Sequence, residues 1–146
     1  MYDVVLNLHS YWAYLVLIVL IITVVNALIK MFGDKEYGAK DFRLALFTLI
    51  VSHIQLLIGL VLYFVSPRLQ AFNELGMGGV MKDAVNRLYL VEHPFMNIIA
   101  VALITIGYSK HKKKLTSKGK IKPIAIFYTI ALLFFLSRIP WNTWLA

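Results

Sequence analysis

The chain has 146 residues, of which 60% are hydrophobic and 15% charged, with a net charge of +8. A soluble domain carries nearer a quarter charged residues, which excludes an ordinary water-facing globular surface. Cysteine is absent, so disulfides, thiolate iron–sulfur clusters, zinc–thiolate sites and haem attached through C-x-x-C-H are excluded.

Four apolar stretches, about residues 10–29, 42–65, 88–109 and 122–139, approach the roughly 20 residues needed to span a hydrocarbon core of about 30 Å. They predict an all-α transmembrane four-helix bundle over residues 1–146, up-down-up-down and without a second domain. The first span opens on Tyr11, Trp12 and Tyr14, rings that prefer the membrane interface. The first basic residue is Lys30, so this stretch lacks the positive n-region of a signal peptide and is read as a permanent helix. His9, Trp12, Val16, Leu20, Thr23 and Ala27 share one side of it.

Lys30, Lys35, Lys40 and Arg43 fill the first connection, and "KHKKKLTSKGKIK" (110–122) fills the third. Both fall on one side of a four-span chain, which the positive-inside rule makes cytoplasmic. Both termini and loop 66–87 then face outward. The basic charge is read as topogenic, with anionic lipid headgroups or a partner as the other reading, and not as a nucleic-acid footprint. His111 falls within the lysine run and is read as solvated with it.

On the second span Thr48, Ser52, Gln55 and Gly59 form the small and polar face, with His53 off its centre. Pro67 stops this helix, and loop 66–87 carries a candidate interfacial helix with Leu69, Phe72 and Leu75 on one face, then Gly76, Gly78 and Gly79 as a turn. The third span, entered through "YLVEHPF", aligns Asn86, Tyr89, His93, Asn97, Ala100, Ile104 and Gly107 along one stripe. Pro94 removes a backbone donor and bends the chain beside His93. Glu92 does not share His93's direction; it is read first as a hydrated interfacial carboxylate, with a partner among Arg138, Arg87 or Arg68, or a proton-bearing group near a quinone, as the other readings. Arg138 interrupts the end of the fourth span, and Trp141 and Trp144 follow at the outer interface.

Ionisable residues inside membrane helices are costly and tend to mark a site. At about 1.5 Å of rise per residue, His93 lies about 25 Å above Lys110, His9 about 31 Å above Lys30, and His53 about 15 Å above Arg43. His9 and His93 are thus closest in depth, on helices that sit diagonally in a square bundle. Neutral imidazole is a common ligand of haem iron, and these two form the preferred axial pair. His53 remains an alternative ligand, a hydrogen-bonding neighbour or part of a proton path. Trp12, Phe95 and Phe134 are candidates to enclose a macrocycle, and Arg68, Arg87 and Arg138 to meet its propionates. Snorkelling to the headgroups is the competing reading of Arg138.

At "LHSYW" (8–12), "SHIQLLIGLVLYFVSP" (52–67) and "MKDAVNRLYLVEH" (81–93) the chain resembles small four-span membrane proteins of Bacteroidetes generically labelled cytochrome b or cytochrome b-like. The resemblance runs over nearly the whole chain. It implies an inner-membrane b-type haem protein with His9, His53 and His93 as the matching histidines. Three intramembrane histidines cannot supply two bis-histidine sites, so one haem b per chain is expected.

Three functions follow. The first is an electron-transfer cytochrome exchanging electrons with quinone or a periplasmic partner, a carrier rather than a catalyst with its own substrate. The second is a cofactor-free accessory or assembly subunit of a larger respiratory or transport complex, with a homo-oligomer also open. The third is an enzyme acting on haem or quinone, with Glu92 and His53 as its only acid–base candidates; no nucleophile–base constellation, phosphate loop or zinc-protease motif supports it.

Overall fold

The computed structural model describes residues 1–144, whose regular elements are all helical, without strands among the described residues. The helices are α1 (Tyr2–Phe32), α2 (Ala39–Val65), α3 (Gln70–Lys82), α4 (Ala84–Lys112), α5 (Ser117–Ser137) and α6 (Trp141–Trp144). Four of them, α1, α2, α4 and α5, are long and apolar enough to cross a membrane. Each begins before the apolar stretch it covers; α1 and α4 also run past its end, α2 ends with it at Val65, and α5 stops at Ser137, two residues short. Hydropathy marks the part that lipid can cover, whereas a helix continues until a residue stops it.

The stops are specific. The N–H of Gly33 returns to the carbonyl of Ile29, and a Cβ at Gly33 would lie 2.8 Å from that oxygen, so the chain can turn there only without a side chain. α2 starts where the Asp41 carboxylate accepts the N–H of Gly38 at 2.7 Å, satisfying a first-turn donor that the helix cannot. The same carboxylate, 7% exposed, also takes Asn26 at 2.8 Å and the Lys30 ammonium, which ties the end of α1 to the start of α2. In the connection between them, burial first and then the Asp41 charge hold the Tyr37 hydroxyl well above the ordinary phenol range.

Loop 66–87 is more ordered than a flexible connector. A 3-10 turn at Pro67–Leu69 leads into α3, which is broken at Gly76, where φ is +70°. Only glycine adopts that conformation freely. Ala71 and Val80 of α3 are buried against Leu90 of α4, with Tyr63, Leu69 and Phe72 beside them.

α4 is locally widened over Leu88–Glu92, where the N–H of His93 reaches back five residues to Leu88. Pro94 follows at once and has no N–H for the carbonyl of Leu90, four residues earlier. The Tyr63 hydroxyl of α2 donates to that orphaned carbonyl at 3.0 Å. α5 carries a second widened segment at Ile124–Tyr128, just after Pro123.

α1 packs on α2 and α5, and α4 packs on the same two helices. Ala27, Ala45, Ala100, Ala125 and Ala131 at the shared core let backbones approach closely, and Leu20, Ile104 and Tyr128 fill the space between them. The Tyr128 hydroxyl donates to the carbonyl of Ala45 at 2.9 Å. The opposite faces expose Ile18, Ile22, Ile50, Leu57, Ile98 and Leu133, as lipid contact requires. Trp144 stacks on Tyr14 and donates to the carbonyl of Ser10, so both chain ends lie at one end of the molecule. At the opposite end the Tyr37 N–H donates to Ser117 Oγ at 2.9 Å, joining the two lysine-rich connections.

His111 departs from its expected place. It is fully buried, stacked on Phe42 at 5.0 Å and 27°, flanked by Tyr37 and Tyr108, and its Nδ1–H donates to the carbonyl of Tyr108. α4 continues to Lys112, so His111 occupies the inward side of the last turn while Lys110 and Lys112 flank it on the outside.

α4 and α5 approach closely at Gly107, where a Cβ would lie 2.7 Å from the Cβ of Phe127. Gly107→Ala is expected to destabilise the protein by about 1–3 kcal/mol through overpacking. Thermal unfolding in detergent measures this, and an unchanged midpoint would contradict the contact.

Candidate functional site

The site forms where α1, α2, α4 and α5 meet near the end that carries both termini. His9, on α1, lies against Gly59 of α2: a Cβ there would sit 3.1 Å from the imidazole Cε1, so the bare glycine makes room for the ring. Gln55 of α2 donates to the carbonyl of His9 at 2.8 Å and anchors the turn that carries it.

His93, on α4, is positioned from two directions. Its Nδ1 lies 2.8 Å from the carbonyl of Arg138, which the end of α5 leaves without a helical donor. A carbonyl only accepts, so Nδ1 carries the proton and Nε2 presents its lone pair. The Asn97 amide, one turn further along α4, approaches Nε2 at 3.0 Å. The two imidazoles face each other with centroids 6.1 Å apart and planes at 87°. Helices that pack mainly on their neighbours therefore meet across the interior through these rings.

Around them is a cavity of about 510 Å³, within the range of about 300–1,000 Å³ found for small-molecule and cofactor sites. Leu17, Val101 and Phe135 form apolar walls, Tyr63, Tyr89 and Trp144 aromatic ones, and the lining reaches exposed Asn7 and Tyr11, so the cavity meets the surface. Four buried polar atoms of lining residues have no hydrogen-bond partner among the described residues: His9 Nδ1, Ser52 Oγ, Gln55 Oε1 and Asn97 Oδ1. Buried polar atoms are nearly always satisfied, so this concentration marks a place built to receive hydrogen bonds or a ligand.

At the rim, Glu92 accepts Arg87 Nε at 2.9 Å and lies 3.8 Å from Arg138 Nε. It thus links α4 to the end of α5, and it points away from His93. The Arg68 guanidinium lies over the Tyr89 ring at 3.6 Å, and Tyr89 shares a 2.6 Å hydrogen bond with Thr143. The chain end is fastened across the cavity mouth by this bond and by the Trp144–Ser10 contact.

The remaining expected site residues lie elsewhere. His53 is exposed on the seam of α2 and α4; its Nδ1–H donates to Leu49 O at 2.8 Å, and its Nε2 lies 3.3 Å from Thr105 Oγ1. It does not line the cavity. Trp12 turns to α2, donating to Val51 O at 2.9 Å and packing on Val16, Val19 and Val51, so it encloses nothing at the histidine pair. Phe95 is 62% exposed, and Phe134 packs against the core. Arg87 and Arg138 are engaged with Glu92 outside the lining, whereas Arg68 lines it.

Two contributions escaped the sequence reading: the Arg138 carbonyl on His93 and the packing of Gly59 on His9. The first acts through backbone, and the residue name carries no sign of it. The Tyr63–Leu90 contact did have a signal, since Pro94 necessarily orphans the carbonyl four residues before it. No group of three or more His, Cys, Asp or Glu side chains able to share a metal ion occurs among the described residues. The site thus offers a metal two imidazoles, short of the four-ligand set of structural zinc.

Glu92→Gln weakens the link between the two arginines. The pair is partly exposed, so a loss of about 1 kcal/mol or less is expected by thermal unfolding, whereas Glu92→Lys, which gathers three cations, should cost clearly more. Equal stability of the Lys variant and the parent would show that the rim does not depend on this carboxylate. Compared with family models, curated proteins and solved structures, the chain matches none, so the histidine-lined cavity stands on its own geometry.

Proposed function

We propose that the chain is a membrane-embedded b-type cytochrome, holding one non-covalent haem between His9 and His93 and passing electrons to or from quinone or a periplasmic partner. The observation that carries this reading is the pair of imidazoles, from two spans that are not principal neighbours, facing each other at 6.1 Å inside a cavity of cofactor size. The His93 arrangement is that of a metal-binding histidine, whose second nitrogen is normally fixed by a carbonyl or carboxylate. The unpartnered His9 Nδ1 and the absence of a side chain at Gly59 fit a ring that must take a ligand on its free side.

When bound, haem supplies one-electron redox chemistry at iron. The chain's own residues do the rest. His9 and His93 would hold the metal, and Arg138 fixes the tautomer of His93 through its carbonyl. The apolar walls keep water away and disfavour a change of charge at the centre, which tunes its potential. Arg68, the arginine that lines the cavity, is the one placed to meet a propionate. The Asn97 amide sits against the His93 ring, 3.0 Å from Nε2, the nitrogen that would hold the metal, and 3.2 Å from Nδ1.

In this reading the four spans form an up-down-up-down bundle in a bacterial inner membrane. The lysine-rich connections face the cytoplasm and both termini face outward, as charge placement favours. The cavity then opens on the outer side.

One observation favours the alternative of a cofactor-free accessory or assembly subunit: Asn97 already satisfies His93 Nε2. Absorbance spectra of the purified protein, oxidised and reduced, separate the two. The cytochrome gives a Soret band that shifts on reduction; His9→Ala and His93→Ala lose it, and His53→Ala keeps it. A colourless protein from haem-supplied cells, or full haem occupancy in His93→Ala, overturns the cytochrome.

A further inference from the structure

The cavity does not end at the histidines. Below them, the interface of α1 and α2 carries a row of polar side chains reaching towards the opposite end of the molecule. Ser52, 1% exposed, lines the cavity floor with its hydroxyl unpartnered. One turn further along α2, a rise of about 6 Å, is Thr48, fully buried. Its hydroxyl lies 2.7 Å from that of Thr23 on α1. The next turn presents the Tyr128 hydroxyl of α5 at the carbonyl of Ala45. The row finishes at Asn26, Asp41 and Lys30, where the lysine side chain, 23% exposed, meets the aqueous end.

The threonine pair has a property that mere packing does not require. Thr23 also faces Val19 O at 2.8 Å, and Thr48 faces Leu44 O at 2.9 Å. Each hydroxyl has one proton and two acceptors within reach, so the pair has two equivalent arrangements. In one, Thr23 donates to Thr48 and Thr48 to Leu44; in the other, Thr48 donates to Thr23 and Thr23 to Val19. Both arrangements end on a backbone carbonyl, which passes no proton on. Transfer along the row therefore requires each oxygen to gain a proton on one side and give up its own on the other: Thr48 takes one from the Ser52 side and gives its own to Thr23, which gives its own towards Asn26. No electron moves, and one positive charge is carried per proton.

Along α2, Ser52 lies about 6 Å of helix rise from Thr48 and about 4.5 Å from Gln55, and an ordered water between such groups needs two or more polar partners. Ser52 Oγ and Gln55 Oε1 supply such partners. Leu20, Ile104 and Ala131 of the shared core are each fully buried. In lipid, a polar row of this length is costly, and intramembrane polar residues characteristically serve ion and proton pathways.

We propose that this row, from Gln55 and Ser52 through Thr48 and Thr23 to Asp41 and Lys30, is a proton path joining the histidine cavity to the lysine-rich end. It does not depend on haem, because every group in it belongs to the chain.

The competing role is adhesive, with the hydroxyls serving only to join α1 to α2. The test uses the full-length protein in phospholipid vesicles that contain a pH-sensitive dye, with a potassium diffusion potential set by valinomycin. The parent should pass protons above the rate of protein-free vesicles. Thr48→Val, which keeps the shape and removes the hydroxyl, should fall to the protein-free rate. Thr48→Ser, which keeps the hydroxyl and removes the methyl, should retain the parent rate, as should Thr105→Val, whose hydroxyl lies off the row. A parent rate equal to that of protein-free vesicles overturns the path. So does a Thr48→Val variant that conducts like the parent, or equal losses in the Val and Ser variants, which would mark a packing role.

Discussion

A membrane interior offers no water to finish a hydrogen bond, and the structure is arranged around that constraint. Each unsatisfied backbone group in lipid costs several kcal/mol, so every departure from regular helix must be answered by another part of the chain. Pro94 deletes one donor, and the carbonyl of Leu90 so released is met by Tyr63. The end of α5 leaves the Arg138 carbonyl open, and His93 takes it. These two answers hold α4 to α2 and to α5 at the same level. They also fix the position and tautomer of His93, so a structural need and the candidate site share the same bonds.

The same constraint separates the two faces of each span. Towards lipid the helices show Ile, Leu and Val, which ask for nothing. Towards one another they show alanine, glycine and hydroxyl residues, which let backbones approach and supply partners. Where the interior polar groups answer one another, as at Asp41 with Lys30, Asn26 and Gly38, the helices are joined. Where they do not, as at His9, Ser52, Gln55 and Asn97, a cavity remains. The histidine-lined cavity thus lies near the termini, while Tyr37 Oη and His111 Nε2, near the lysine-rich end, are likewise buried without a partner among the described residues.

Arginine and tryptophan show how far residue identity misleads about role. Arg138 draws attention as a charge within an apolar run, but it serves His93 through its backbone while its guanidinium turns to Glu92. Trp12 lies three residues from His9 on the same helix, yet donates to Val51 on the side away from the cavity. His111, surrounded in sequence by lysines, is enclosed by Phe42, Tyr37 and Tyr108. In each case a rotation of about 100° per residue around the helix, invisible in composition, decides the outcome.

The sequence alone determined the four spans and the inward faces of α1 and α4, because hydropathy and a period near 3.6 are set by local residue order. It also singled out His9 and His93 and the direction of Glu92, since depth along a helix and position around it follow from residue counting. Tertiary structure decided the rest. It set the 6.1 Å approach of the two imidazoles, the placing of His53 on an outer seam, the gap opened at Gly59 and the buried Thr23–Thr48 contact. These are relations between helices, dependent on how closely two backbones approach and how each is rotated. No count along a single chain contains them.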